Sequence, residues 1–420
     1  MFTDSASHLD DLAQFVLDSP TSFHAAHTVA SRLTTAGFTQ VDEKGAFPAG
    51  AGRFFVVRGG AVIAWRQPER IDRGTGLRVV GAHTDSPAFK VKPDVDFAVR
   101  GWQQVAVEIY GGMLINSWLD RDLGIAGRLV TRDGVTHLVR LAGIARVPQL
   151  AIHLDRGVND GLKLDRQAHM QPVVGLETSH GVLAALAEQA GIRPEDVIGH
   201  DLFTFDSQAP SRLGLTGELF ASGRLDNLSS THAGLAAIED IGDGDDLVVY
   251  ATFDHEEVGS ETSTGAAGPF LADVLERIAA VAGLGVDGFK ALVARGSCIS
   301  ADAGHLVHPN HQQHHDPRVD LRPNAGPMLK VNANQRYATD AHGEAIWVQA
   351  CERAGIPHQT FVSNNAMPCG STIGPITATR LGLTTVDVGI GLLSMHSARE
   401  LCGADDPHHL SRALRAYLAG

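Results

Sequence analysis

The chain has 420 residues, 44% of them hydrophobic and 20% charged, enough apolar material for two or three globular domains with a substantial core. Its formal net charge of −14 argues against nucleic acid as a partner, because phosphate binding needs a basic face. No apolar run approaches the roughly 18 residues that a membrane span needs, so no membrane partner is expected either.

The opening segment, MFTDSASHLDDLAQF, is polar and acidic. It has neither the basic start nor the apolar stretch of a secretory signal. Residues 9–36 follow a helical period through Leu9, Leu12, Phe15, Val16, Ala26, Val29 and Leu33, with a break near Pro20. Short strands are predicted at FFVVRG and AVIAWRQ. LRVVGAHTD (77–85) reads as a central strand, an apolar run that ends in polar residues where its C-terminal end lines a site.

From about residue 95 the texture becomes β-rich, with VAVEIYG, GRLVTR and THLVRL separated by glycine-containing turns, and it continues to about residue 220. One helix-like stretch, LETSHGVLAALAEQAG, interrupts it. After Gly223 an α/β alternation returns. NLSSTHAGLAAIEDI is predicted helical, DLVVYATF a strand, PFLADVLERIAAVAG a helix and ALVARGSCISAD a strand; GEAIWVQACERAG is then a helix and TTVDVGIG a strand. The expected fold class is α/β, a mixed sheet between helix layers, with a discontinuous domain over 1–94 and 221–420 and a β-rich insertion over 95–220. Cys298, Cys351, Cys369 and Cys402 are scattered, with no C-x-x-C spacing, and read as reduced thiols of a cytoplasmic protein.

The stretch FDHEEVGS (253–260) places adjacent carboxylates directly after an apolar strand. Adjacent carboxylates repel and are costly to desolvate, so something positive is expected beside them. Other polar residues fall at comparable places: His83 and Asp85 in GAHTDSP, Asp302 in CISADAGH, His396 in LLSMHSARE, and Asp226 at a helix start in GRLDNLSS. Ends of adjacent strands converge on a crevice in open α/β folds, and carboxylates with imidazoles are ligands for zinc, cobalt or manganese. A two-ion site needs a bridging carboxylate and terminal ligands on each side. Asp226, a short carboxylate alone on its segment, suits the bridge; His83 and Asp302 would complete one site, Glu257 and His396 the other. Asp85, two residues beyond His83 on an extended path, would orient that imidazole. Glu256 is then left over as a general base for an ion-activated water.

Each residue has a plainer reading when taken alone: Asp226 as a helix cap, His83 as a core histidine, Glu256 and Glu257 as a solvated turn. Together those readings must explain independent polar segments that all fall at element ends. GLGVDG (283–288) matches G-x-G-x-x-G but follows a predicted helix, so it reads as a loop. HLVHPNHQQHH (305–315) is broken by Pro309 and reads as a solvated or structural loop. Cys369 reads as a packed thiol. No G-x-S-x-G elbow and no G-x-x-x-x-G-K-[ST] loop is present.

These motifs resemble those of the aspartyl aminopeptidases, within the wider clan of dinuclear zinc exopeptidases. The resemblance rests on GAHTDSP (81–87), GRLDNL (223–228), DHEEVGS (254–260), HPN (308–310), KVNANQRYAT (330–339), PCGSTIGP (368–375) and MHSARE (395–400), in order over nearly the whole chain. It implies a metallo-aminopeptidase that releases N-terminal Asp or Glu from peptides. His83, Asp226 and Asp302 would hold one ion, Asp226, Glu257 and His396 the other, and Glu256 would be the base. It implies a dimerisation role for the insertion and a homododecamer built from dimers. In that assembly His153, in VPQLAIHLDR, reaches a neighbouring subunit's site; Gln149 replaces the histidine that family members often carry there. Lys330 and Tyr337 match residues that meet the acidic side chain of the substrate. Without the resemblance Lys330 would read as a surface lysine. Two other functions fit the shared ligand order: a neutral-residue aminopeptidase or N-acyl amino acid deacylase, and a non-catalytic metal-stabilised peptide-binding shell.

Overall fold

The computed structural model describes residues 4–177 and 180–420. Its largest element is a nine-stranded mixed sheet. Four neighbouring strands at its centre, Leu247–Phe253, Leu77–His83, Ser297–Ala301 and Thr384–Gly389, run parallel to one another. Antiparallel strands flank them, Ala61–Gln67 on one side and Met328–Val331 on the other.

The central strands are buried on both faces, so they carry no polar alternation. In Leu247–Phe253, Val248 and Tyr250 enter one core, while Leu247, Val249 and Ala251 enter the other. This is the period of two that a pleated strand imposes. The first core is covered by helices Ser5–Asp18, Ser22–Thr35, Leu225–Glu239, Ala341–Ala354 and Asp406–Ala419; the second by Phe270–Val281, Gly285–Ala294 and Ile373–Leu381. The expected break at Pro20 separates the first two helices. Asp4 caps the first, its Oδ1 accepting from Ser7 N at 2.8 Å.

Two sequence expectations are corrected. The strand predicted over ALVARGSCISAD begins only at Ser297, and Ala291–Ala294 closes a helix that starts at Gly285. Phe289, Leu292 and Val293 have helical spacing and pack under the sheet, and Gly296 separates helix from strand. GLGVDG accordingly leads into the first turn of that helix rather than forming only a loop; it does follow a helix, Phe270–Val281. The helix-like stretch of the insertion is realised as Val182–Gln189, while Thr178 and Ser179 lie outside the described residues.

A six-stranded sheet is built from the middle of the chain, from Ala88–Val99 through Val197–Asp206. Its own core includes Phe89, Val105, Val107, Leu123, Ile125, Leu129 and Leu202, and Val182, Leu186 and Ala187 of the short helix pack into it. The next strands, Ser211–Leu213 and Leu219–Ser222, leave this sheet for a five-stranded one, where they pair with each other and Leu219–Ser222 pairs with Glu400–Gly403. No helix among the described residues is long and apolar enough to cross a membrane.

The topology positions a crevice. The parallel strands end side by side, with Phe253 paired to His83 and Ala301 paired to Val388. Each chain segment that leaves this edge carries one of the polar groups singled out above: Glu256 and Glu257, Asp85, Asp302 and His396.

Candidate metal centre

Asp226 enters from the helix Leu225–Glu239, which packs on the strand Leu77–His83. Its first turn is irregular. Arg224 has φ +60°, and Asp226 has φ −83° and ψ 104°. Side chains tie this turn to the strand ends. Thr231 Oγ1 donates to His83 O at 2.6 Å, Asn227 Nδ2 donates to Ala301 O at 2.9 Å, and Ser86 Oγ donates to Asp226 O at 2.6 Å. On the adjoining strand a Cβ at Gly389 would lie 1.7 Å from Asp302 O, so only glycine lets Asp302 approach so closely.

The five expected ligands meet. Asp226 Oδ1 lies 3.4 Å from His83 Nε2, which lies 3.6 Å from Asp302 Oδ1. Asp226 Oδ2 lies 3.3 Å from His396 Nε2, which lies 3.4 Å from Glu257 Oε2. The two oxygens of one carboxylate therefore face two different groups of donors. Ligand atoms about 2.0–2.2 Å from a tetrahedral ion are about 3.3–3.6 Å apart, the spacing found here. Asp226 Oδ1 and Glu257 Oε1 are buried and accept no hydrogen bond, the state of a ligand oxygen reserved for a cation. His83, Glu256 and Glu257 form a further close group. It fits less well, because Glu256 Oε2 is 3.9 Å from His83 Nε2 and its side chain is more exposed, 17% against 5% for Asp226.

Both imidazoles are held by Nδ1. His396 Nδ1 donates to Gly112 O at 3.0 Å, and His83 Nδ1 lies 3.1 Å from Asp85 O and 3.3 Å from Asp85 Oδ1. Each ring thus turns Nε2 toward the cluster, as a metal-ligating histidine does. Asp85 takes the orienting place expected of it and is itself fixed: its carboxylate accepts from Tyr110 Oη at 2.7 Å and from the backbone N–H groups of Glu256 and Glu257, each at 3.1 Å.

The electrostatics call for positive charge. Burial pushes Glu256 up to about 8; nearby Asp302, Asp85 and Asp226 add to the rise, and His83 opposes it. Burial and Asp226 also push Glu257 well above the ordinary carboxylate range. Burial works against a charged imidazole at His396, yet Asp226 and Glu257 outweigh it and hold the ring up at about 10. Divalent cations would neutralise this cluster and favour its carboxylates in the ionised form.

Lys330 is not a surface lysine: it is 1% exposed. Its Nζ donates to Ala303 O at 2.6 Å, one residue beyond Asp302, and sits 5.3 Å from the centre of the Tyr337 ring. An ammonium has three donors, so this bond leaves capacity for a ligand. Tyr337 is buried beside Phe361. Burial, with Cys369, Asp302 and Asp387 nearby, raises its hydroxyl well above the ordinary range, so it stays a donor at neutral pH. Cys369 is half-buried against that hydroxyl, a packed thiol. His153 lies elsewhere, in an exposed loop with exposed Leu150, Ile152 and Leu154, and is not among the residues gathered at the cluster.

Sequence reasoning missed Tyr110, Gly112 and Glu400. Tyr110 ends the strand Trp102–Tyr110 of the six-stranded sheet and Gly112 lies in the turn after it, and they reach Asp85 and His396 from that side. Tyr110 lies in VAVEIYG, which reads only as a strand, and Glu400 in MHSARE, where nothing distinguishes a buried glutamate from a solvated one.

Comparison with known proteins bears on this centre. The profile of the family described as Aminopeptidase I zinc metalloprotease (M18) matches residues 15–418. A probable M18 family aminopeptidase 2 of Streptomyces coelicolor is 54% identical, covering 98% of this chain and 97% of its own. Among solved structures, Ape4 in a complex with Nbr1 superposes with a TM-score of 0.94 at 32% identity, over 99% of this chain and 86% of that one. The mApe1 dodecamer of S. cerevisiae superposes with a TM-score of 0.85 at 27% identity, over 97% and 95%.

Proposed function

We propose, from the premise that this chain belongs to the M18 family of zinc aminopeptidases, that it releases N-terminal Asp or Glu from peptides with two ions and Glu256 as general base. Membership makes it a hydrolase, a metallo-aminopeptidase. The preference for acidic residues is carried by one observation: the buried ammonium of Lys330, one residue from a metal-ligand candidate through Ala303. Beyond its bond to Ala303 O this ammonium has donors to spare, and a substrate carboxylate bound to it would form a charge-assisted hydrogen bond. Tyr337 would donate a second. A local cation also reconciles an acidic substrate with a chain of net charge −14.

His83, Asp226 and Asp302 would hold one ion, and Asp226, Glu257 and His396 the other. When bound, zinc, or alternatively cobalt or manganese, supplies Lewis-acid polarisation of the scissile carbonyl and acidifies water. Glu256 stands beside both groups and belongs to neither. It would take the proton from the attacking water and pass it to the leaving amine as the C–N bond breaks. Asp85, held by Tyr110, would keep the His83 ring in the ligating tautomer.

The insertion over 95–220, flanked by catalytic segments 1–94 and 221–420, would serve dimerisation in a cytoplasmic homododecamer. His153 would act in a neighbouring subunit's site; the exposed Leu150, Ile152 and Leu154 around it support a contact there. A panel of aminoacyl p-nitroanilides run with defined metals tests the substrate class. Asp and Glu substrates should exceed Leu and Ala in kcat/KM by at least about tenfold, and N-acetyl-Asp should not be cleaved. Equal rates for neutral residues would favour a neutral aminopeptidase, and cleavage of the acylated substrate a deacylase.

A further inference from the structure

Glu400 begins the strand Glu400–Gly403 and is 2% exposed. Its two oxygens part. Oε2 accepts the backbone N–H of Asp226 at 3.0 Å, and Oε1 accepts the backbone N–H of His396 at 2.8 Å. These residues are 170 positions apart in sequence (396 − 226) and both belong to the Asp226–Glu257–His396 group.

Neither amide sits in regular backbone. Asp226 lies two residues after Arg224, whose φ is +60°, and its own ψ of 104° is not helical. His396 has φ +64° and Ser394 φ +57°, in the left-handed region that costs a non-glycine residue energy. Such conformations persist only where the surroundings over-determine them. Regular ladders cannot supply acceptors for these two N–H groups, and a carboxylate is a stronger acceptor than a neutral oxygen. Because the N–H and the side chain of one residue share a Cα, fixing the amide limits where the ligand atom can stand.

We propose that Glu400 is a positioning residue that clamps the bridging carboxylate of Asp226 and the imidazole of His396 at a common distance through their backbone amides. The proposal rests on the two-ion reading given above. Glu400 touches neither substrate nor ion and acts through its two neighbours. A clamp of this kind differs from the usual support of a metal ligand, which holds the side chain's far end, as Gly112 O does for His396.

The test measures zinc affinity, by competition with a chromophoric chelator, in the full-length wild type and in Glu400→Gln and Glu400→Asp. The glutamine keeps one acceptor and sets an NH2 donor against the other amide. The aspartate keeps the charge but is one methylene short of spanning both. Zinc affinity at one of the two sites should fall about 10- to 100-fold in Glu400→Gln, the range for loss of a partner behind a metal ligand, and less in Glu400→Asp. With zinc in excess, kcat should recover more than half-way while KM stays near wild type, because the substrate contacts are untouched. Wild-type zinc affinity in either variant, whatever its thermal stability, would overturn the proposal. Should neither variant fold, residue-resolved hydrogen exchange on the zinc-free wild type decides: the clamp requires Asp226 and His396 amides to be protected, and free exchange at both would overturn it. A wild type that binds no zinc would instead overturn the two-ion reading itself.

Discussion

Glu256→Gln is expected to keep its bound metal and to lose about 10³-fold in kcat, within the 10²–10⁴ that a positioned general base contributes. The amide has nearly the shape of the carboxylate, so packing against His83 and Asp85 should survive. It cannot accept the proton of the attacking water. Metal content should be unaffected, because the Asp226-centred groups do not include Glu256. KM should move little. Two results would count against the assignment: turnover near wild type, or loss of bound metal, which would place Glu256 among the ligands with His83 and Glu257.

Lys330→Met is expected to lower kcat/KM for Asp and Glu substrates about 100-fold, and for Leu or Ala substrates no more than a few-fold. Methionine approximates the apolar stem and so limits cavity formation beside Met328 and Phe361, which an alanine would invite. What disappears is the ammonium. A buried charged hydrogen bond of this kind is worth roughly 2–5 kcal/mol when one partner is removed, and 2.7 kcal/mol corresponds to about 100-fold at ~1.4 kcal/mol per factor of ten. The loss should appear in KM and kcat together if Lys330 also aligns the substrate. A uniform fall across acidic and neutral substrates would make Lys330 a structural residue that satisfies Ala303 O and no selector.

The central sheet and the polar residues that cluster at its edge were legible because the pattern is local. An apolar strand that ends in a carboxylate or imidazole shows both its burial and its site in one stretch, as in LRVVGAH and LVVYATF followed by DHEE. The segment ALVARGSCISAD was misread because a helix that buries Phe289, Leu292 and Val293 and the following strand are both apolar, and only Arg295 and Gly296 separate them. Lys330 could not be placed from its neighbours. Burial of its ammonium depends on the antiparallel strand Thr384–Gly389 beside it and on the Asp302–Ala303 turn, both distant in sequence.

Glu400 and Tyr110 were illegible for a different reason. Their partners are backbone amides and a second-tier carboxylate brought together by tertiary packing, and such partners leave no spacing signature. Tyr110 adds that the six-stranded sheet is more than an appendage: its strand Trp102–Tyr110 and the turn that follows reach both clustered histidines, His83 through Asp85 and His396 through Gly112 O.

The two-ion centre itself is tested most directly by anomalous diffraction at the zinc edge from crystals of the zinc-loaded protein. Two peaks about 3.5–4 Å apart are expected, one among His83, Asp226 and Asp302 and one among Asp226, Glu257 and His396, with a carboxylate oxygen of Asp226 directed at each. A single ion held by His83, Glu256 and Glu257, or no anomalous density at this cluster, would contradict it.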